Sequence, residues 1–359
     1  MIFARTLTVL TVFILALPLS ARSIFDMVYT GTDEPVALRL EVPVDSVLAK
    51  VSTKQEAHLQ FTDVNGTTQN WDLNVRLRGK FRRHRCEFAP LKLDFGKKAL
   101  RKAGLDDWDK YKLVSTCSSD PQAKELVLKE YLAYRVYNIL TPQSFRVQRV
   151  LITYVDANGN YPDRTEEGFI IEDTDEMAAR LGGKEVENAL GLPAGSYESE
   201  AEATHALIQY LFSNGDFSMP LARNLKVVDM PNGKMVPVGY DFDFSGWVGA
   251  PYASPTSEIG QQSIYHRIYQ GYAQPENVMR KVVDVFRDKR RQVIDLVANF
   301  QYLSLENRTV VQRFAARFFK ELNQMSRNDA VLLYDQLRDG VAEMIPPGGE
   351  AGSFRSMGK

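Results

Sequence analysis

The sequence is poor in the residues that build covalent scaffolds and zinc centres. Its 359 residues include only two cysteines and four histidines. Two cysteines exclude a disulfide-dense scaffold and a four-cysteine zinc site, and the scattered histidines form no HExxH pair. An excess of either charge is also missing: 44 Lys and Arg stand against 45 Asp and Glu, for a net charge of −1. That balance offers no global attraction to nucleic acid or to an anionic membrane. Beyond the N-terminus no run is apolar enough to span a bilayer, which takes about 20 residues. With 44% hydrophobic and 25% charged residues, the composition is that of an ordinary globular chain and excludes disorder or a coiled-coil rod throughout.

What is present starts at the N-terminus. Arg5 precedes an apolar run from Leu7 to Leu19, and Pro18, Ser20, Ala21 and Arg22 close it. One basic residue, about a dozen apolar residues and small residues after them predict a secretory signal peptide over 1–21. The alternative is an uncleaved anchor, for which the run is short. Export, to a periplasmic or extracellular location, allows Cys86 and Cys117 to form a disulfide, the alternative being two buried thiols.

Residues 35–115 alternate as strands do, clearest in Val36 to Val42. Asn65-Gly66 between two such runs predicts a hairpin. Residues 122–140 have helical spacing, and Arg146 to Tyr154 and Gly168 to Glu172 return to strand. Asp156-Ala157-Asn158-Gly159 reads as a turn, because it lacks the distal Glu of a calcium loop. In the second half, helices are expected over 200–213, 276–299, 305–323 and 327–343, with a strand hairpin around Asn232-Gly233. The Gly-rich stretch near 185–198 suggests a boundary. The expected organisation is a leader over 1–21, a strand-rich part over 24–190, a helical part over 191–345 and a disordered tail over 346–359.

Three segments suggest chemistry. Asn214-Gly215-Asp216 follows a helix, with Asn224 just beyond. Tyr240-Asp241-Phe242-Asp243-Phe244 ends the second hairpin. A hairpin brings the residue before its first strand beside the residue after its second, so Asn224 and Asp241 are expected to be neighbours, with Asp216 close by. Carboxylate and amide oxygens collected there suit magnesium or manganese. The competing reading is turn chemistry, since Asp and Asn bond their own backbone in turns. The third segment is basic: Arg76, Arg78, Lys80, Arg82, Arg83 and Arg85 surround Gly79. Arg76, Arg78 and Lys80 on one strand face would suit phosphate, or would shield an edge strand from pairing. Lys92 lies between Leu91 and Leu93 and on pattern alone is a solvent-facing strand position.

Taken in order, these pieces resemble the spore-coat CotH kinase family. The resemblance covers roughly residues 74–245. It is carried by Arg78-Gly79 before a Lys-bearing strand, Lys112-Leu113-Val114 with Asp120 opening a helix, and Ile152-Thr153-Tyr154 with its Asn-Gly turn. It continues through Gly168-Phe169-Ile170-Ile171-Glu172, Asn214-Gly215-Asp216, Asn224 and Asp241-Phe242-Asp243. The resemblance implies an α+β, two-lobed atypical protein-kinase-like fold with a strand-rich first lobe and a helix-rich second. It implies an exported phosphotransferase that uses ATP and magnesium or manganese on protein hydroxyls. Asp216 would be catalytic, Lys92, Arg78 and Glu172 would contact the nucleotide, and Asn224 and Asp241, supported by Asp243, would hold metal. The implied partner is a protein substrate or an envelope protein, without nucleic acid or a stable membrane anchor. The stretch Phe217 to Arg223 after Asp216 departs from the family, and no His follows. That departure motivates an alternative, a catalytically inactive scaffold or binding protein of the cell envelope. A metal-dependent phosphate-ester hydrolase on the same carboxylates is a third reading.

Overall fold

A computed structural model of the chain describes residues 22–79, 81–118 and 120–339. The expected leader over 1–21 and the tail over 346–359 lie outside the described residues, as does Lys80. Seven strands form first: β1 Val36–Val42, β2 Gln55–Thr62, β3 Thr68–Leu77, β4 Leu91–Phe95, β5 Lys110–Ser115, β6 Val147–Asp156 and β7 Arg164–Ile171. They close into a barrel in the order β1-β2-β3-β4-β5-β7-β6. Every pairing is antiparallel except β1 with β6, which run parallel with Val36 beside Val150 and Val42 beside Asp156. The alternation visible in the sequence builds the barrel interior: Leu38, Leu40 and Val42 from β1 meet Leu73, Val75, Leu91, Leu93 and Leu113 from β3 to β5.

Short helices α1 Ile24–Val28, α2 Val44–Leu48, α3 Arg82–Arg85 and α4 Lys97–Lys102 decorate the barrel. Helix α5 Pro121–Leu140 joins β5 to β6; Asp120 caps its first turn by accepting from Gln122 N at 2.9 Å, and Pro121 needs no partner there. After α6 Thr174–Arg180 comes a small sheet of β8 Lys184–Glu185, β9 Leu225–Asp229 and β10 Met235–Gly239, in the order β10-β9-β8. Helix α7 Ser199–Phe212 lies between β8 and β9 in sequence, and α8 Glu276–Asn299, α9 Leu305–Met325 and α10 Leu333–Asp339 follow. One hydrophobic cluster joins α5, α7, α8 and α9 to the outer wall of the barrel through Val114, Val147, Phe169 and Ile171. This is why α5, sandwiched between barrel and helices, is buried on nearly every side.

The two-lobed kinase-like fold expected from the resemblance does not form. The β6–β7 hairpin inserts between β5 and β1 and supplies partners to both, so the strands close into a mixed barrel packed against helices. Closure depends on pairing residues more than a hundred positions apart, which local alternation does not reveal. The last helix is also shorter at its start than expected. It begins at Leu333 rather than near 327, because the Asn328 side chain accepts from Ala330 N at 3.2 Å and turns the chain first. Cys86 and Cys117 are joined in a disulfide. Among the described residues, no helix is long and apolar enough to cross a membrane.

Candidate functional site

The β9–β10 hairpin does what its Asn-Gly turn predicts. Leu225 pairs with Gly239, and Tyr240 N donates to the Asn224 carbonyl at 3.0 Å, so Asn224 and Asp241 meet at the open end. Both take left-handed backbone, with φ of 55° and 65°, a conformation Asn and Asp tolerate better than most side chains. The Asp241 N–H donates to Tyr134 Oη on α5 at 2.9 Å, which anchors the turn to the helical core.

Asp216 reaches the same place by another route. Helix α7 ends at Ser213, also left-handed, and Asn214 Oδ1 accepts from Asp216 N at 3.0 Å. Gly215 is required between them: a Cβ there would stand 2.4 Å from Gln261 Oε1 and 2.9 Å from Thr256 Oγ1. Asn224 Nδ2 donates both to the Asp216 carbonyl at 2.8 Å and to Asp216 Oδ2 at 2.9 Å. Arg223 Nη1 lies 3.5 Å from Asp216 Oδ1. Burial raises the Asp216 pKa against the pull of Asn224 and Arg223, and the Asp241 carboxylate adds to the rise.

The basic segment after β3 lines the same cleft. The strand stops at Leu77 and Gly79 takes a φ of 78°, so Arg76 and Arg78 do not share the expected continuous strand face, and Lys80 lies outside the described residues. Arg76 stays on the barrel wall, while Arg78 turns into the cleft. Phe81 packs on Phe244 and Tyr252, with ring centroids 5.2 Å apart in each case. Arg82 then reaches inward: its Nε donates to Asp243 Oδ2 at 2.9 Å and its Nη2 to Glu130 Oε2 at 2.6 Å. Tyr252 Oη also donates to Asp243, at 3.3 Å. Burial pushes the Asp243 carboxyl up to about 8, against Arg82 and with help from Asp241 and Glu130. Glu130 is raised as well, by burial and then by Asp241, with Arg82 opposing. Burial works against the Arg82 charge, but Asp243 and Glu130 outweigh it. Asp216, Asn224, Asp241, Asp243, Arg78, Arg82 and Arg223 thus line one cleft of about 550 Å³.

Not every predicted residue is in it. Lys92 is on the outer face of β4, in register with Arg76 and Lys112, and is not among the cleft-lining residues. Glu172 is fully buried and accepts from Arg146 N and Nε at 2.9 and 2.8 Å and from Arg180 Nε and Nη2 at 2.9 and 2.8 Å. It knits α6 to β6 rather than facing the cleft. Glu130 carries no mark in the sequence, and Arg82, Lys112 and Arg223 stand out there only as members of longer segments, without a role of their own. Arg82 was one arginine among several, and Glu130 sat unmarked in a helical pattern. Lys112 lies on β5 with its Nζ 4.8 Å from the Tyr240 ring centroid and 5.1 Å from that of Phe145. Burial, with the charges of Arg78, Lys226 and Lys92, lowers its pKa to about 7.

The donor set can be tested against the expected divalent cation. Among the described residues, no group of three or more His, Cys, Asp or Glu side chains is placed to hold a metal ion. Asn224 and Asp241 nevertheless offer one amide oxygen and one carboxylate at the hairpin base. Such a pair fits magnesium or manganese, which take one or two protein oxygens and complete their shell with water and phosphate. No family model and no curated protein matches this chain. The resemblance to the CotH kinases therefore rests on the residues quoted above.

Proposed function

We propose that this cleft belongs to an exported phosphotransferase, which moves a phosphoryl group from a phosphoanhydride donor such as ATP to a hydroxyl, as the CotH resemblance implies. One observation carries the reading: Asp216, Asn224 and Asp241 line one cleft together with Arg78 and Arg82. Oxygen donors opposite guanidinium groups are suited to a metal-bound phosphate. Asp216 orients the acceptor hydroxyl and takes its proton as the oxygen–phosphorus bond forms and the anhydride bond breaks. Its burial-raised pKa and its bond from Asn224 favour that role. Magnesium or manganese, when bound, would neutralise phosphate charge, with Asn224 and Asp241 as its protein ligands. Arg78, which lines the same cleft, stabilises negative charge on the transferred group. The disulfide is consistent with an oxidising, extracytoplasmic compartment.

Thermal unfolding tests this with ATP and manganese, in the wild type and in Asp241→Asn. A ligand that binds only the native state raises the midpoint. A rise in the wild type, lost in the variant, is expected. Equal rises in both sink the metal assignment. No rise in either favours the second reading, a non-catalytic scaffold. A specific observation supports that reading too: the Arg82 guanidinium is already held by Asp243 and Glu130.

A further inference from the structure

The stretch Phe217 to Arg223, which departs from the CotH pattern, has an order of its own. A bridge ties its ends: Ser218 N donates to the Arg223 carbonyl at 3.1 Å, and Arg223 N to the Ser218 carbonyl at 3.0 Å. Phe217 and Met219 pack in a small hydrophobic cluster with Ala189, Leu225 and Val227. The tip of the loop does the opposite and leaves Leu221 57% exposed. Gly191 N donates to the Pro220 carbonyl at 2.8 Å, so a second loop runs beside the tip and sets Leu190, 63% exposed, next to it. A turn tip in water takes Asn, Asp or Ser readily, because their side chains bond the turn backbone. Two neighbouring leucines there gain nothing from solvent and form a contact surface instead. The tip is held against its preference as well: Ala222 has a φ of 46°, in the left-handed region that its Cβ disfavours. Ala222 and Arg223 line the cleft, so the leucine ledge borders it directly.

The mouth of the cleft is also basic. All four residues of α3 are basic, and Arg82 turns inward to Asp243 and Glu130. His84 and Arg85 are left exposed. Among the described residues, no carboxylate lies within ion-pair distance of Arg83, His84 or Arg85. A ring rather than a charge holds Arg85: its guanidinium carbon lies 5.7 Å from the centroid of Phe81, which lines the cleft. Arg223 keeps 45% of its side chain exposed beside Asp216. Exposed aliphatic and exposed cationic side chains therefore border the place where a hydroxyl must meet Asp216. An acidic polypeptide with aliphatic side chains complements both, whereas a basic one is repelled by the arginines and a small alcohol leaves both unused.

We infer that the Leu190–Leu221 ledge and Arg85 dock the acceptor, an acidic polypeptide segment that carries its hydroxyl residue among aliphatic side chains. This rests on the phosphotransferase reading and names the acceptor class. The ledge supplies apolar contact, and Arg85 selects carboxylates and rejects basic segments. The stretch after Asp216 is then a docking element, which accounts for its exposed leucine and its left-handed alanine.

The test is fluorescence anisotropy of the full chain with labelled peptides, at low ionic strength in EDTA and without nucleotide, so that no phosphate competes for the arginines. The parent peptide carries one serine, flanking leucines and a run of glutamates. One control has the leucines replaced by serine, the other has the glutamates replaced by lysine. The parent is expected to bind about tenfold tighter than either control. Leu190→Ser with Leu221→Ser should weaken the parent about tenfold and leave the leucine-free control unchanged. Arg85→Gln should weaken the parent about fivefold and leave the lysine control unchanged or tighter. All three side chains are exposed, so the unfolding midpoints of these variants stay level. The docking surface is refuted if the leucine variant binds the parent like the wild type, if it loses the parent and the leucine-free control equally, or if the lysine control binds as well as the parent. The manganese-dependent shift described above is read separately. Failure of docking with that shift intact leaves the cleft assignment standing. Leucine-dependent binding without the shift overturns the acceptor role and leaves a surface for an acidic partner.

Discussion

Arg82 is the charge on which the cleft depends most. Its side chain is 12% exposed, and its partners Asp243 and Glu130 are 7% and 1% exposed. Arg82→Met keeps much of the volume and removes both charge-assisted bonds. Two buried carboxyls then lose their cation while Asp241 remains beside them. Breaking a buried pair from one side costs about 3–5 kcal/mol, because the remaining charge has no compensation. The cost must depend on pH, and its sign follows from the protonation of the partners. Asp243 is raised to about 8 in the folded protein, so between its unfolded pKa near 4 and that value the native state binds the extra proton. Stability contributed by this group is therefore full at low pH and lost as pH rises through about 8. Without Arg82 the pKa moves higher still, so the deficit of the variant should be smallest near pH 5 and should grow as pH rises past about 8, to be larger at about pH 9. Urea unfolding of both proteins at the two pH values measures it. A second variant, Arg82→Met with Asp243→Asn and Glu130→Gln, should recover most of the loss, since replacing a buried ionic group as a whole is often close to neutral. A deficit below about 1 kcal/mol, or one equal at both pH values, would show that the Arg82 cluster is not the buried network described here.

Three further outcomes follow from the same geometry. The Cys86–Cys117 bridge closes a loop with a sequence separation of 31, so Cys86→Ser with Cys117→Ser should lower stability by about 3–4 kcal/mol in urea. Thiol labelling of the unfolded, oxidised wild type should find none; two labelled thiols refute the bridge. Gly239→Ala places a Cβ 2.5 Å from Gln209 Nε2 and 3.0 Å from His205 Cε1, and should cost about 1–3 kcal/mol, whereas Gly195→Ala meets nothing within 4 Å and should be neutral or slightly stabilising. Equal effects of the two glycine changes would refute the close approach. His205 is buried with its Nδ1 2.9 Å from Tyr137 Oη, and burial lowers its pKa to about 3. Its unfolded form binds the extra proton between about pH 6.5 and 3, so stability is lost as pH falls through that window, and His205→Gln should flatten the acid limb of the stability curve.

Much of the site is legible in the sequence because it is local. The Asn232-Gly233 turn sets the register of β9 and β10, and that register alone carries Asn224 to Asp241. Asn214-Gly215-Asp216 follows a helix whose apolar spacing marks its end. Alternation marks the strands from Val36 to Ser115, and Asp120-Pro121 marks the start of α5. These signals depend on periods of 2 and 3.6 residues and on turn residues, all of which lie within one short window of chain. The disulfide was readable from the compartment implied by the leader.

The rest waited for long-range pairing. Alternation says that Lys92 and Lys112 share a face of their strands, but not which element covers that face; Phe145 and Tyr240 cover Lys112, and of these Tyr240 lines the cleft. Glu172 ends a strand-like run as expected, yet Arg146 and Arg180 from distant positions take its carboxylate. Arg82 was chosen from a run of similar residues by the end of β3, the turn at Gly79 and the Cys86–Cys117 bridge. The barrel itself closes only because β6 lies parallel to β1 and β7 pairs with β5. The sequence by itself determined the strands, helices, turns and the Asn224–Asp241 pairing, since each is settled by residues within a few positions of one another. Tertiary structure alone decided the closed barrel and the places of Arg82 and Lys112, because backbone hydrogen bonds and counter-charges found across distant segments have no period along the chain.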